Sequence, residues 1–238
     1  MLENLQIENL VFLDIETVPQ TASFDDLPEA ARKLWEKKSS FIRGEEQKPS
    51  DVYQRAGIYA EFGKIICISA GLIYSEDGQK KIRLKSFSSK DEHQLLVDFG
   101  LLLKALSAKK NYSLCAHNGK EFDFPYISRR MLINGLELPG LLDTAGKKPW
   151  EVNHVDTMEL WKFGDFKNYT SLELLAYVFG IPSPKNDIDG SMVAGVYYEE
   201  DDLPRIVKYC ERDVVTIIQL LLKFKSMPLI PEEYISIA

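Results

Sequence analysis

The most constraining stretch of the chain is Leu10-Val11-Phe12-Leu13, four apolar residues that run straight into Asp14-Ile15-Glu16. A strand with one wet face alternates apolar and polar side chains. An unbroken apolar run is instead the pattern of a central strand buried on both faces. Residues i and i+2 of a strand share a face, so Asp14 and Glu16 project together from one side at its end. Two adjacent carboxylates repel unless a cation neutralises them, and a divalent metal does this well. Taken alone, the motif reads equally as a solvated strand end.

The rest of the chain supplies partners for such a strand. Ile65–Ile73 reads as a second buried strand, and Lys81–Ser86 alternates as a one-face-exposed or edge strand does. Ser89-Lys90-Asp91-Glu92 has the form of a capping box opening an amphipathic helix, with a stripe at Leu95, Leu96, Phe99, Leu102 and Leu103. Tyr112–Ala116 is a further short strand. Helices are expected over Phe124–Leu132 and Ser171–Phe179, the latter stopped by Gly180 and Pro182. A last long helix spans about Leu203 to Phe224, apolar at Ile206, Cys210, Val214, Ile217 and Leu221. This order predicts an α/β fold, a mixed central sheet flanked by helices. A length of 238 residues suits one domain, 1–238. The charge-rich stretch 17–63, with a helix near Pro28–Lys38 and a loop-like Gly44–Ser50, reads as an insertion within it.

Composition narrows the function. With 45% hydrophobic residues the chain can bury a full core, and no apolar run approaches the ~20 residues that span a bilayer. The first residues have neither a basic region nor a small-residue cleavage site, so no signal peptide is expected. Cys67, Cys115 and Cys210 are scattered, with no metal-binding spacing, and are expected as free thiols in a reducing cytoplasm. A net charge of −7 argues against wrapping long duplex DNA through phosphate neutralisation, though not against gripping a few nucleotides at a strand end. Residues 101–150 hold eight Lys/Arg against four Asp/Glu, which leaves room for a local basic patch. No phosphate-binding glycine loop exists, so ATP use is not expected.

Two further motifs carry carboxylates. Asn118-Gly119-Lys120-Glu121-Phe122-Asp123 follows a strand and leads into a helix, where Asp123 is either an N-cap or a functional acid and Phe122 equally a core residue. Tyr209-Cys210-Glu211-Arg212-Asp213 lies in the last helix, and its i, i+4 spacing puts phenol and carboxylate on one face. Asp213 borders an apolar stripe, where a charge needs a partner.

In this order, D-x-E, N-x-x-x-F-D and Y-x-x-x-D resemble the DEDD superfamily of 3′-5′ exonucleases, tyrosine subclass. The resemblance is to the exonuclease domain of family B DNA polymerases, and in particular to stand-alone predicted bacterial proteins carrying that domain. Ser171-Leu-Glu-Leu-Leu, Gly180-Ile-Pro, Asp189-Gly-Ser and Asp213-Val-Val extend it over about residues 8–225, the stretch 17–63 excepted. The resemblance implies an RNase H-like fold and phosphodiester hydrolysis with two divalent ions, Mg²⁺ or Mn²⁺. Asp14, Glu16 and Asp213 would hold the ion that activates water, Asp14 would bridge to the second, and Asp123 would support that one. Tyr209 would orient the water, because a phenol titrating near ~10 is a poor base. Asn118, Phe122 and Thr17 would contact the terminal nucleotides. The implied partners are single-stranded 3′ ends, DNA favoured over RNA, and a separate polymerase or repair factor. An exoribonuclease and a non-catalytic nucleic-acid-binding module are the rival readings.

Other residues read more plainly. His117 has no second ligand at zinc spacing and suits a polar loop, while His154-Val155-Asp156 resembles a strand end near the substrate groove. Asp187-Ile188-Asp189-Gly190 reads as a solvated turn. Arg205, Lys208 and Arg212 form a charged helix face. Trp35 among Arg32, Lys33, Lys37 and Lys38 could track a nucleic-acid backbone, but Glu29 and Glu36 dilute that patch, and a solvated helix is the better reading.

Overall fold

A computed structural model describes residues 2–165, 167, 169–182 and 188–238. Its centre is a six-stranded mixed sheet in the order β5-β4-β1-β2-β3-β6. The strands are β1 (Leu10–Pro19), β2 (Gly63–Glu76), β3 (Gln79–Ser88), β4 (Ser113–Ala116), β5 (Val155–Asp156) and β6 (Ile235–Ile237). β1 pairs antiparallel with β2 and parallel with β4, and β5 runs parallel to β4. The β2–β3 hairpin turns through Asp77-Gly78, both at positive φ (51° and 76°), which is the Asp-Gly turn that matches the twist of paired strands. Lys81–Ser86 is not the sheet edge. β3 is longer at both ends, and β6 pairs alongside Ile82–Leu84.

Both faces of β1 are covered, as its unbroken apolar run requires. Val11, Leu13 and Ile15 pack into a layer built from helices α2 (Glu92–Ser107) and α3 (Asp123–Ile133). Leu10 and Phe12 face the opposite layer, dominated by α7 (Leu203–Phe224) through Val214, Ile217, Ile218 and Leu221. Helices α4 (Thr157–Lys162), α5 (Leu172–Val178) and α6 (Val193–Tyr198) are short.

Two expectations need correction. Asp91, not Ser89, caps α2, its carboxylate accepting from the Gln94 N–H at 3.2 Å. Glu92 turns inward instead, accepting from the Ile65 N–H at 2.7 Å and gripping Arg130 through two contacts, at 2.9 and 2.5 Å. Between β1 and β2, helix α1 (Glu29–Ser39) closes over a separate small core. Trp35 is fully buried there, its ring edge-on to Tyr53 and Phe62 and its N–H donating to the Pro49 carbonyl at 2.9 Å. The cations of α1 therefore have no exposed aromatic among them. Among the described residues no helix is long and apolar enough to cross a membrane.

Candidate active site

The site forms where β1 stops alternating apolar side chains on its α7 face. Leu10 and Phe12 of that face lie under α7, and by the same alternation the next two positions are Asp14 and Glu16. Immediately after Glu16 the β1–β2 register shifts: Glu16 pairs with Cys67, and Thr17 with Ile65. A bulge of this kind bends the strand and ends regular pairing next to the carboxylates. Thr17 is on the other face of β1, where the Tyr126 hydroxyl reaches its side chain. It is not brought together with the acids.

Helix α7 supplies the opposite wall. Its Cys210 thiol donates to the Asp14 carbonyl at 3.3 Å. One ligand atom each from Asp14, Glu16 and Cys210 lies within 4.8 Å of the others. Asp213 stands outside this tight group, yet its charge acts on both Asp14 and Glu16. Tyr209, one turn earlier, hydrogen-bonds to Asp213. The sequence reading treated Cys210 as part of an apolar stripe. Its place beside Tyr209 was the available signal, but only the packing of α7 on β1 brings the thiol under the acids.

The second motif enters from β4. After Ala116 the chain reverses through Asn118, which takes the left-handed φ of 65° that asparagine tolerates. The backbone N–H groups of Asn118 and Lys120 donate to the two oxygens of Asp156, at 2.9 and 3.0 Å. The same buried carboxylate caps α4, accepting from the Met158 N–H at 3.0 Å. Asp156 thus holds the turn from behind. His117 and His154 are likewise bound into the frame, His117 to the Thr170 carbonyl at 2.9 Å and His154 to that of Leu141 at 2.7 Å. Phe122 is half-buried against Tyr126, with ring centroids 5.2 Å apart. Asp123, the first residue of α3 and 4% exposed, does not cap it; its carboxylate accepts from the Ile15 N–H.

Gly119 is needed for close approach. A Cβ there would meet that of Ala116 at 2.4 Å and the Phe124 ring at 3.0 Å. Gly119→Ala is expected to displace the turn, costing roughly 1–3 kcal/mol as overpacking does and lowering activity more than stability alone explains. Thermal unfolding combined with turnover at a temperature where the variant is folded checks this.

Electrostatics mark the cluster as unfinished by protein alone. Burial, then the charges of Glu16, Asp123 and Asp213, hold the Asp14 carboxyl well above the usual carboxylate range. Burial, Asp213 and Cys67 do the same to Glu16, which is only 7% exposed. Asp123 is pushed up to about 7 by burial, against the pull of the backbone N–H groups it accepts from. Asp213 rises to about 6, again by burial, with the Tyr209 hydrogen bond opposing. Burial and the neighbouring carboxylates raise the Tyr209 phenol, so it is a neutral O–H donor. No lysine or arginine pairs with any of the four acids among the described residues. Hard oxygen donors that are buried, mutually repelling and without a counter-charge are the donor set a divalent cation fits.

A cavity of about 410 Å³ opens beside Tyr209 and Asp213, bordered by Ser171, Glu173 and Ile188. Asp189 on its rim accepts from the backbone and side chain of Ser191, at 2.8 and 2.6 Å, and shapes a turn. Asp187, read with it as one turn, lies outside the described residues.

The fold and site can now be set beside known proteins. Over 90% of its length the chain superposes on the family B DNA polymerase from the hyperthermophilic archaeon Pyrobaculum calidifontis, with a TM-score of 0.56 and 16% identity. It spans 24% of that polymerase. At such identity the likeness concerns the fold, which is RNase H-like. Residues 58–234 match the family described as predicted 3′-5′ exonucleases related to the exonuclease domain of PolB. The matched span begins after Asp14 and Glu16, which the sheet then places against its other elements. With well over half its length matched, the chain belongs to this family of predicted 3′-5′ exonucleases related to the PolB exonuclease domain.

Proposed function

We propose that the protein is a metal-dependent 3′-5′ exonuclease that removes nucleoside 5′-monophosphates from single-stranded DNA ends. One observation carries the reading: four carboxylates from three separate segments converge with no counter-charge among the described residues, beside a neutral phenol and an open cavity. Asp14, Glu16 and Asp213 would hold one divalent ion, and Asp14 with Asp123 a second. Bound there, such ions supply Lewis-acid stabilisation of the entering and leaving oxygens of an in-line displacement. Water adds to the terminal phosphorus, and the bond from that phosphorus to the 3′-oxygen of the preceding nucleotide breaks.

The chain's own residues set the geometry. Tyr209 donates to Asp213, which leaves its oxygen free to accept from and orient the attacking water. Asp156 fixes the turn that presents Asn118 and Phe122 to the terminal nucleotides. Glu16 would also help hold the terminal 3′-hydroxyl. A 5′-labelled single strand of DNA, and the matching RNA, incubated with Mg²⁺, Mn²⁺ or EDTA tests the reading. A metal-dependent ladder shortening from the 3′ end, faster on DNA, is expected. Bound oligonucleotide with no cleavage under any metal overturns it.

Tyr209→Phe separates orientation from ion binding. It is expected to slow cleavage about 10- to 1000-fold, less than the roughly 10²- to 10⁴-fold that a true general acid or base contributes, because Tyr209 orients the water without taking its proton. The rise in melting temperature on adding Mn²⁺ is expected to persist. Loss of that rise would place Tyr209 among the ion's supports instead.

A further inference from the structure

Outside the acid cluster, the segment joining α4 to α5 displays large aromatic side chains without covering them. Phe163 is 81% exposed and Tyr169 63% exposed. Singly exposed aromatics are ordinary, but each of these stands close to an anchored residue. On one side Trp161 is stacked on Phe224, with rings 5.9 Å apart and 13° from parallel. On the other the Thr170 carbonyl is bonded to His117. Between these anchors Phe163 adopts a left-handed backbone with φ 42°, a conformation costly for a bulky residue. It is thereby held out from the surface near its anchored neighbour Trp161, with ring centroids 6.4 Å apart.

The segment also lies on a path from the acids. The Tyr169 hydroxyl donates to Glu121 at 3.5 Å, two residues before Asp123. Ser171 and Glu173, which follow it, border the cavity beside Tyr209 and Asp213. Positive charge accompanies the rings. The Lys162 ammonium lies 4.3 Å from the centre of the Tyr169 ring. Two flat exposed rings, one of them carrying an ammonium group and lying two residues before the border of the cavity, match a polymer with both π-faces and backbone anions.

We propose that Phe163 and Tyr169, with Lys162, form a stacking platform for the bases of a single-stranded nucleic acid upstream of its 3′ end. This rests on the exonuclease reading for its polarity only, because the platform binds whether or not the acids cleave. Fixing the rings in advance lowers the ordering cost of binding. Stacking on aromatic side chains is tolerant of sequence, so the platform serves any base.

The test is fluorescence anisotropy of a labelled single-stranded oligothymidylate in EDTA, with wild-type protein and with Phe163→Ala/Tyr169→Ala, Tyr169→Phe and Lys162→Gln. The double alanine variant is expected to raise Kd about tenfold or more. Tyr169→Phe should restore near-wild-type affinity in an otherwise native chain, and Lys162→Gln should lower the salt dependence by about one phosphate contact. Hydrolysis of the p-nitrophenyl ester of thymidine 5′-monophosphate, too small to reach the platform, should stay within about twofold, as expected when only remote binding is lost. An unchanged Kd in the double variant, or no binding by the wild type, overturns the platform. Binding that depends on the rings, in a protein that cleaves neither substrate, upholds the platform and overturns the exonuclease reading instead.

Discussion

Asp14→Asn is expected to abolish cleavage, by about a thousandfold or more, and at the same time to make the metal-free protein more stable than wild type at pH 8. The first effect follows from removing a carboxylate that would contribute to both ion sites, where stabilisation of several kcal/mol is at stake. The second follows from the sign of its titration. The Asp14 carboxyl is held well above its ordinary 3.8, by burial first and by Glu16, Asp123 and Asp213 after it. The folded chain therefore keeps a proton that the unfolded chain gives up. Below about pH 4 both states are protonated and Asp14 costs nothing; as pH rises towards the folded value the unfolded state gains and stability is lost. Asparagine does not ionise, and it keeps both the backbone carbonyl and a side-chain oxygen for the Cys210 thiol, which acts on each in Asp14. The gap in melting temperature between variant and wild type is therefore expected to open upward from about pH 4, in EDTA. Mn²⁺ should raise the wild-type melting temperature more at pH 8 than at pH 5, since ions and protons compete for the same oxygens. Unaltered turnover removes Asp14 from the site, and a wild type more stable than the variant at pH 8 removes the repulsion argument.

Arg130→Met is the most damaging substitution expected away from the acids. The guanidinium holds both oxygens of Glu92 and donates to the Ala60 carbonyl at 2.8 Å. Both side chains are almost wholly buried. Removing one partner strands the other charge in the interior, at a cost of about 3–5 kcal/mol. For a chain of this size that lowers the melting temperature by roughly 6–20 °C. The double variant Glu92→Met/Arg130→Met should recover much of the loss, because an apolar pair of similar volume replaces the charges. Recovery should stay incomplete, since the Ile65 N–H loses its acceptor. A single variant that melts like wild type would show that the pair contributes nothing.

This pair also shows where reading the sequence reaches its limit. Ser89-x-x-Glu92 has the local spelling of a helix cap, and local spelling cannot reveal an arginine 38 residues away that draws the glutamate inward. Trp35 obeys the same limit: cations surround it in sequence, while in space Tyr53, Tyr59 and Phe62 do. The sheet's central strand and its longest helix were legible because their signals are local. A fully apolar run needs cover on both faces, and a stripe at helical spacing needs one. β6 was not, since three residues on a sheet edge carry no periodicity. In the candidate site, the spacing of Asp14 and Glu16 and of Tyr209 and Asp213 could be read directly. The thiol of Cys210 and the bracing by Asp156 could not, because each depends on which elements lie beside one another. Asp156 looked like the end of a strand near a groove; it is the residue into which two backbone N–H groups of a different turn are plugged.

The order of the sheet has a consequence for how the protein is made. β1 is synthesised first but lies in the middle, between β4 and β2. Asp14 and Glu16 leave the ribosome nearly two hundred residues before Asp213, and the wall that α7 supplies cannot exist until then. A nascent chain carries its first two acids with neither Tyr209 nor Asp213 to complete them. Contacts so distant in sequence also form late and slowly in folding. The carboxylate cluster therefore stays incomplete on a nascent chain until α7 has emerged and docked on β1.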